Sequence, residues 1–405
     1  ALDDALRATE KFPLSPDLWK LLGLVSQDLN RGEVAITAFR QAVALSGDDP
    51  VNHANLALAL HGQGQMTEAI LSLQRVTELD PSDADAHYNL GVLLKESGHI
   101  KEAIAAYRKA LNLNPEVAEA FNNLGILLCE QGRLGEGIDA YKLALSVRPN
   151  YWEALLNLGA ELQKVHFASE DRSLYPSLEQ LLNTTNVVSP ADVAPAILSL
   201  LKHDPILVNM LQEPSGQLDL KTHLNHISKL EQLPLLQKLM RLCPLPDLEL
   251  ERVFTGIRSV LLEHVSALVD TPFLASFQST LSLQCFLNEY VYFETKRDTE
   301  NVANLRRHIE KSLATGKEPE LAEVLCLSSF RPLHRFRWSE DLSSLKKLPD
   351  IRERLITQPL AEQRLAREIR TLGPISNDVS IKVKRQYEEN PYPRWAQLGV
   401  TQSTL

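Results

Sequence analysis

Residues 84–117 have the sequence ADAHYNLGVLLKESGHIKEAIAAYRKALNLNPEV, and this stretch decides the fold of the first part of the chain. Its apolar spacing predicts two amphipathic helices joined by a turn. Counting the first residue as position 1, Gly91 at position 8 and Ala103 at position 20 let the two helix backbones approach closely, and Tyr107 at position 24 fills the space between them. Pro115 at position 32 ends the second helix, because proline has no N–H and clashes with the preceding turn.

The same residue types return every 34 residues along the chain. Position 8 is always Gly or Ala, and position 32 is proline in four of its five copies. Gly47 replaces the proline in the remaining copy, and Val76 replaces the alanine usual at position 27. The register predicts a partial repeat at 1–15, full repeats at 16–49, 50–83, 84–117 and 118–151, and a half repeat at 152–165.

This period and these residue types resemble the tetratricopeptide repeat (TPR). The resemblance covers roughly residues 1–165 and implies a right-handed superhelical solenoid that binds proteins or peptides. Residues 1–13 match the second helix of a repeat whose first helix is missing, and residues 401–405 stop without a closing element. We therefore expect the sequence to be a piece of a longer chain.

Composition narrows the possible functions. The net charge of −10 argues against a general affinity for nucleic acid. We expect no membrane span, because no apolar run has the length to cross a bilayer, and no signal peptide, because residues 1–11 are amphipathic and charged. Four widely separated cysteines in apolar contexts predict reduced thiols of a cytoplasmic protein; they are Cys129, Cys243, Cys285 and Cys326.

The second half of the chain is predicted to be helical without a repeat, which makes the whole protein all-α. Residues 166–189 are interpreted as a linker and residues 190–380 as an irregular helical domain. Proline, glycine and small polar residues bound helices at 190–203, 205–212, 218–243, 247–269, 272–293, 299–315 and 319–329. The basic aromatic stretch FRPLHRFRW at 330–338 interrupts the helical pattern.

Asparagine recurs at position 6 of the repeats, and Leu21 alone breaks the series. Asparagine is a mediocre helix former, so a column of them on the first helices needs a reason. The column consists of Asn55, Asn89, Asn123 and Asn157. It resembles the asparagine ladder of the O-linked N-acetylglucosamine transferase TPR superhelix, which implies carboxamides in a concave groove that pair with the main chain of an extended peptide.

The sequence leaves two interpretations of this column open. In the first, the groove binds an extended peptide or a partner's disordered tail, which we expect to be acidic to neutral. In the second, the asparagines bond neighbouring helices and bind nothing else. Carboxylates on the helix surfaces are interpreted as a solvated face: Asp85, Glu119, Glu136 and Asp139.

No catalytic constellation, phosphate-binding loop or metal site is predicted. His223 and His226 are spaced to share a helix face, but no third ligand lies nearby in the sequence. Glu289, among the aromatic residues of 286–293, is expected to be a hydrogen-bonding residue inside a helix bundle, with contact to a ligand as the alternative.

Residues 386–395, QYEENPYPRW, are predicted to form a rigid proline-aromatic strap within the final segment 381–405. The strap should dock on a neighbouring domain, although a loose tail is the alternative. Its expected contact residues are Tyr387, Asn390, Tyr392, Arg394 and Trp395.

The strap, together with residues 283–295, 330–338 and 359–380, resembles bacterial TPR-containing class I S-adenosylmethionine-dependent methyltransferases. The resemblance implies that a catalytic domain binding S-adenosylmethionine follows Leu405, and that this chain itself holds no cofactor. The chain alone is therefore not expected to be catalytic. The other functions left open are a TPR scaffold with no enzyme attached, part of a TPR-containing glycosyltransferase, and an enzyme built on the helical domain itself.

Overall fold

The computed structural model describes residues 2–213, 219–268 and 274–368, and it divides the chain between residues 161 and 162 into two compact units. Every regular element in these described ranges is helical. The all-α fold class is therefore confirmed. The predicted strap lies outside the described residues.

The first unit is a series of paired helices with the predicted register. After α1 (Leu2–Lys11), the pairs are α2 (Pro16–Asp28) with α3 (Gly32–Leu45), α4 (Pro50–Gly62) with α5 (Met66–Leu79), α6 (Ala84–Glu96) with α7 (Ile100–Leu113), and α8 (Ala118–Glu130) with α9 (Leu134–Val147). A further first helix, α10 (Trp152–Leu162), follows. The solenoid expected from the 34-residue period is thus present, helix for helix.

Close packing inside each pair explains the choice of residues at positions 8 and 24. A Cβ atom added to Gly91 would lie 2.8 Å from the ring of Tyr107, and Gly125 meets Tyr141 in the same way at 2.6 Å. Where position 8 carries a methyl group, as in Ala57, position 24 is the smaller Leu73. An aromatic ring at position 24 therefore goes with glycine at position 8.

Three first helices are fastened to the preceding turn by the same hydrogen bond. A ring N–H at position 4 donates to the carbonyl oxygen of position 32 in the repeat before: Trp19 Nε1 to Pro13 (2.8 Å), His53 Nε2 to Gly47 (2.9 Å) and His87 Nε2 to Pro81 (3.2 Å). Gly47 offers the same carbonyl as a proline would, so the departure from the repeat pattern leaves this bond intact.

The second unit contains shorter and less regular helices. They are α11 (Tyr175–Asn183), α12 (Pro190–Leu201), α13 (Pro205–Leu211), α14 (Leu220–Leu230), α15 (Pro234–Leu242), α16 (Leu248–Glu263), α17 (Leu274–Leu287), α18 (Lys296–Ala314), α19 (Leu321–Ser328), α20 (Pro349–Arg352) and α21 (Gln358–Glu368). A π-helical segment, Glu353–Thr357, joins the last two, and residues 333–347 contain short 3₁₀ turns.

The structure divides two segments of this unit differently from the sequence-based expectation. The predicted helix 218–243 is two helices, α14 and α15, because Pro234 lacks the N–H that would continue the first. The predicted linker 166–189 contains α11, whose Leu178, Leu181 and Leu182 are buried. These leucines, spaced three and four residues apart, drive a helix to form despite the polar sequence that follows.

Helix α17 is the centre of the second unit, because its residues are buried all the way round from Phe277 to Leu287. Its buried serine hydroxyls are hydrogen-bonded within the core: Ser282 Oγ, for example, donates to the carbonyl of Leu325 at 2.9 Å. The fully buried Arg258 of α16 donates to the carbonyls of Tyr292, Phe293 and Ser329. Carbonyl dipoles, together with the aromatic faces around it, thereby solvate its charge inside the core.

Candidate functional site

One face of every first helix of the solenoid stays out of the core. Positions 7, 8 and 11 are buried in all five first helices. None of the residues at positions 2, 6, 9 and 13 is buried, and these positions share one side of a helix. We call this face the first-helix stripe. It comprises Asp17, Leu21, Leu24 and Asp28 of α2, Val51, Asn55, Leu58 and Gly62 of α4, Asp85, Asn89, Val92 and Glu96 of α6, Glu119, Asn123, Ile126 and Glu130 of α8, and Glu153, Asn157 and Ala160 of α10.

Side-chain contacts join successive first helices into one surface. His61 Nε2 of α4 lies 2.7 Å from Glu96 Oε2 of α6. Lys95 Nζ of α6 donates to Asn123 Oδ1 of α8 at 3.3 Å. Because neighbouring helices touch along their exposed faces, the stripe continues from repeat to repeat.

The four asparagines of position 6 all lie on the stripe, but they have two kinds of surroundings. Asn89 is exposed and Asn55 is half-buried, and neither side chain forms a hydrogen bond within the described part of the chain. Asn157 Nδ2 donates to Asn122 Oδ1 at 2.9 Å, and Asn123 accepts from Lys95. Two of the four carboxamides therefore bond neighbouring helices, and two keep both donor and acceptor available.

The stripe also carries an apolar column at position 9, which the sequence analysis missed. Leu58 is 57% exposed and Leu24 is 42% exposed, while Val92 and Ile126 are half-buried. Each lies one helical turn beyond the position 6 residue of its own helix. Aligning the repeats column by column would have revealed it, since only aliphatic residues occupy position 9.

Carboxylates flank the amide and apolar columns at positions 2 and 13. The two positions hold seven of them and one cation, Lys164, which falls at position 13 just beyond the end of α10. The seven are Asp17, Asp28, Asp85, Glu96, Glu119, Glu130 and Glu153. Two of the four carboxylates interpreted from the sequence as a solvated face, Asp85 and Glu119, thus belong to this surface. The other two, Glu136 and Asp139, lie on the second helix α9, where they pair with Arg133 and Lys142.

Three cationic or protonatable side chains adjoin the carboxylates of the stripe. Lys20 Nζ lies 3.2 Å from Asp17 Oδ1, Arg148 Nη2 lies 2.6 Å from Glu119 Oε1, and His61 contacts Glu96. Although burial opposes the change, hydrogen bonds from its own N–H and from Arg148 lower the pKa of Glu119. No ion pair within the described residues involves Asp28, Asp85 or Glu130.

The histidine pair of the second unit is held by protein groups. His223 Nδ1 donates to the carbonyl of Asp219 at 3.0 Å, and His226 Nε2 lies 2.8 Å from Glu213 Oε2. Across the described ranges, no group of three or more His, Cys, Asp and Glu side chains could hold a metal ion.

Glu289 lies in a turn, because the helix predicted at 272–293 ends six residues earlier than expected. Helix α17 ends at Leu287, and Glu289 and Tyr290 follow with φ of 56° and 61°. Tyr290 N–H closes this turn by donating to the carbonyl of Cys285 at 2.9 Å. Two successive residues in the left-handed region store backbone strain, and the side chains of Val291 and Phe293 beyond them are exposed.

The four cysteines are free thiols, and three of them are buried. Burial raises the pKa of the thiols of Cys243, Cys285 and Cys326 to about 12. Since the thiolate is the nucleophile, this shift argues against a nucleophilic role for these three residues. No helix among the described residues is long and apolar enough to cross a membrane.

The strap residues Tyr387, Asn390, Tyr392, Arg394 and Trp395 lie beyond the described ranges, as does most of the stretch 359–380. The structure therefore bears on neither the docked strap nor the loose tail.

The family models that match this chain lie within the first unit. Models of the TPR repeat match residues 60–98 and 93–132, and models of the tetratricopeptide repeat match residues 1–50 and 118–151. No curated protein matches the sequence.

Among solved structures, MamA is 25% identical over 36% of this chain and 85% of its own, with a TM-score of 0.35. YrrB, described as a TPR protein with an unusual peptide-binding site, is 17% identical over 45% of this chain and 93% of its own, with a TM-score of 0.39. MamA from Desulfovibrio magneticus RS-1 is 19% identical over 42% and 94%, with a TM-score of 0.37. The paired helices, their 34-residue period and the family matches identify the repeats of the first unit as tetratricopeptide repeats.

Proposed function

We propose that the protein is an interaction module and that its first-helix stripe binds an extended segment of a partner protein. The observation that supports this most is the exposure of the same face on all five first helices. Val92 packs partly against the core of the solenoid, but Leu21, Leu24, Val51 and Leu58 are exposed. Their retention outside the core is typical of a surface that another molecule covers.

The carboxamides of position 6 provide contacts to a peptide main chain. Each offers a donor and an acceptor, which match the C=O and N–H of an extended chain whatever its side chains. Asn55 and Asn89 have both groups available, since neither side chain is hydrogen-bonded within the described residues. These two residues are therefore the proposed main-chain contacts, and Asn123 and Asn157 extend the column while also bonding neighbouring helices.

The apolar column supplies the non-directional part of the affinity. Covering a fully exposed Leu, Ile or Val contributes roughly 1.5–3 kcal/mol, and Leu58 is 57% exposed before binding. Association itself costs roughly 4–15 kcal/mol in lost freedom. A partner must therefore cover apolar residues on several first helices at once, which favours a long extended segment over a short peptide that contacts a single helix.

Panning a displayed library of random 12-residue peptides against the protein tests this function. Asn55→Ala with Asn89→Ala should weaken binding of the enriched peptides by about 1–3 kcal/mol, because each lost hydrogen bond contributes roughly 0.5–1.5 kcal/mol. Gln74→Ala with Asn112→Ala is the matched control, since both amides are exposed on second helices. Enriched peptides that bind the asparagine variant as tightly as the wild type would exclude the stripe as their site.

The proposal extends to the protein that the module serves. The resemblance of residues 283–295, 330–338 and 386–395 supports a place beside a methyltransferase domain that uses S-adenosylmethionine, with a scaffold free of any enzyme as the alternative. Isothermal titration of this chain with S-adenosylmethionine should then detect no binding tighter than the millimolar range. Micromolar binding would place the cofactor site within this chain, and a coding sequence downstream of Leu405 without a glycine-rich strand–turn–helix would favour the scaffold.

A further inference from the structure

We propose that the segment bound by the first-helix stripe is basic: an extended chain of a partner protein in which Lys or Arg residues alternate with apolar ones. This inference rests on the proposed function and specifies its partner. It reverses the acidic-to-neutral charge expected from the sequence, because the structure places the carboxylates of positions 2 and 13 on the same surface as the amide and apolar columns.

The layout of the stripe sets where an occupant's side chains go. Positions 2 and 13 are separated by eleven residues, or roughly 16 Å along a helix axis. The amides of position 6 and the apolar residues of position 9 lie between these two acidic margins. An extended chain across successive first helices would follow the middle, with every second side chain facing the stripe and the others facing away from it. Long cationic side chains reach the margins, while apolar ones contact Leu58, Val92 and Ile126.

The charge that remains on the stripe favours a cation. Asp28, Asp85 and Glu130 form no ion pair within the described residues. The cations that adjoin the stripe are few: Lys20 contacts Asp17, Arg148 contacts Glu119, and Lys95 contacts the amide of Asn123. Lys164 follows the end of α10. His61 contacts Glu96. Several carboxylates of one sign on a shared surface create a potential that raises the local concentration of cationic partners and repels anionic ones.

Three fluorescein-labelled 12-residue peptides with identical apolar residues test the charge preference. They carry four Lys, four Ser or four Glu at the alternate positions, and fluorescence anisotropy measures their affinities for the intact protein at several salt concentrations. The Lys peptide should bind at least tenfold more tightly than the Glu peptide. Added salt should reduce this ratio, because salt screens exposed charges.

A variant without two of the carboxylates tests whether the stripe causes the preference for the Lys peptide. Asp85→Asn with Glu130→Gln should weaken binding of the Lys peptide severalfold and leave that of the Ser peptide unchanged. Glu33→Gln with Glu102→Gln makes the same charge change at exposed positions of second helices and should change neither affinity. Both double variants keep side-chain size, so a difference between them reports position and not net charge.

The outcomes separate this inference from the function on which it rests. Equal affinities for the Lys and Glu peptides, or a preference for Glu, would overturn the basic partner. In that case, weaker binding of the Ser peptide to the Asn55→Ala, Asn89→Ala variant would leave the peptide-binding function standing. If none of the three peptides binds, both proposals fail together.

Discussion

Glycine at position 8 is required by the ring at position 24, so its replacement should be costly. In Gly91→Ala, the new methyl group would lie 2.8 Å from the ring of Tyr107, which is fully buried. We expect a loss of about 1–3 kcal/mol in the opening free energy of amides in α6 and α7, measured by hydrogen exchange with mass spectrometry.

Gly62→Ala is the control for that experiment, because a Cβ atom at Gly62 meets nothing within 4 Å. Alanine is the better helix former, so this change should be neutral or slightly stabilising. Effects in α2 and α3 should be smaller than in α6 and α7, since each repeat contacts only its neighbours. Unchanged protection of α6 and α7 in Gly91→Ala would refute the packing argument.

A single residue also shows why columns of a repeat do not predict every contact. Position 20 is alanine in four copies but Gly137 in the fifth. A Cβ atom there would lie 2.2 Å from Cys129 Sγ. Glycine replaces alanine at position 20 because the larger Cys129 at position 12 of the same repeat occupies that space. Such paired exchanges depend on side chains distant in sequence, and a column read on its own does not contain them.

At the scale of elements, the burial of one histidine makes α14 sensitive to pH. His223 is buried, and burial lowers its pKa below the ordinary value of 6.5, helped by His226. The carbonyl and carboxylate of Asp219 and the carboxylate of Glu213 oppose this shift. Because the folded pKa is lowered, the unfolded chain binds the proton more readily, and folding loses stability as the pH falls through 6.5.

Calorimetry at pH 7.5 and pH 5.5 measures this dependence. The transition temperature of the wild type should fall further on acidification than that of His223→Gln, which cannot take up the proton at this position. His308→Gln is the control, because the ring of His308 is 61% exposed. Equal acid shifts in the wild type and His223→Gln would mean that another group dominates.

Element boundaries were predictable where the local sequence alone determines them. The helices of the repeats begin and end at the predicted register, because small residues and prolines recur at fixed positions. The break before Pro234 was equally visible in the sequence, yet the surrounding apolar spacing outweighed it in the prediction. Helix α11 was not predicted, because its leucines form a helix only when other elements cover them.

At the scale of the whole molecule, the sequence predicted the solenoid and the asparagine column but not the complete stripe. In the sequence, a single carboxylate such as Asp85 has nothing that marks it as part of a binding surface. The exposed Leu58 cannot be told from a core leucine until it is known which face of its helix is covered. Orientation depends on which face the partner helix covers. The second unit has no repeat to fix that orientation in advance. The sequence therefore predicted a helix at 272–293 but not that α17, which lies within it, is buried on all sides.

The regular spacing of the first helices along the stripe limits the positions in which a partner chain can bind. Neighbouring packed helices lie roughly 8–10 Å apart, and an extended chain advances about 3.3 Å per residue. The distance from one first helix to the next therefore corresponds to about three residues of a partner. A bound chain moved by three residues would meet nearly the same contacts again. Val51 and Gly62 replace the carboxylates of both acidic columns at α4, so α4 differs from the other first helices and can fix the register of a bound partner.

We expect peptides of the same composition to bind best when their cationic residues recur at the spacing of the first helices. Peptides without a neutral segment opposite α4 should bind in several registers. Paramagnetic relaxation from a spin label at one peptide end would reveal a single position or several.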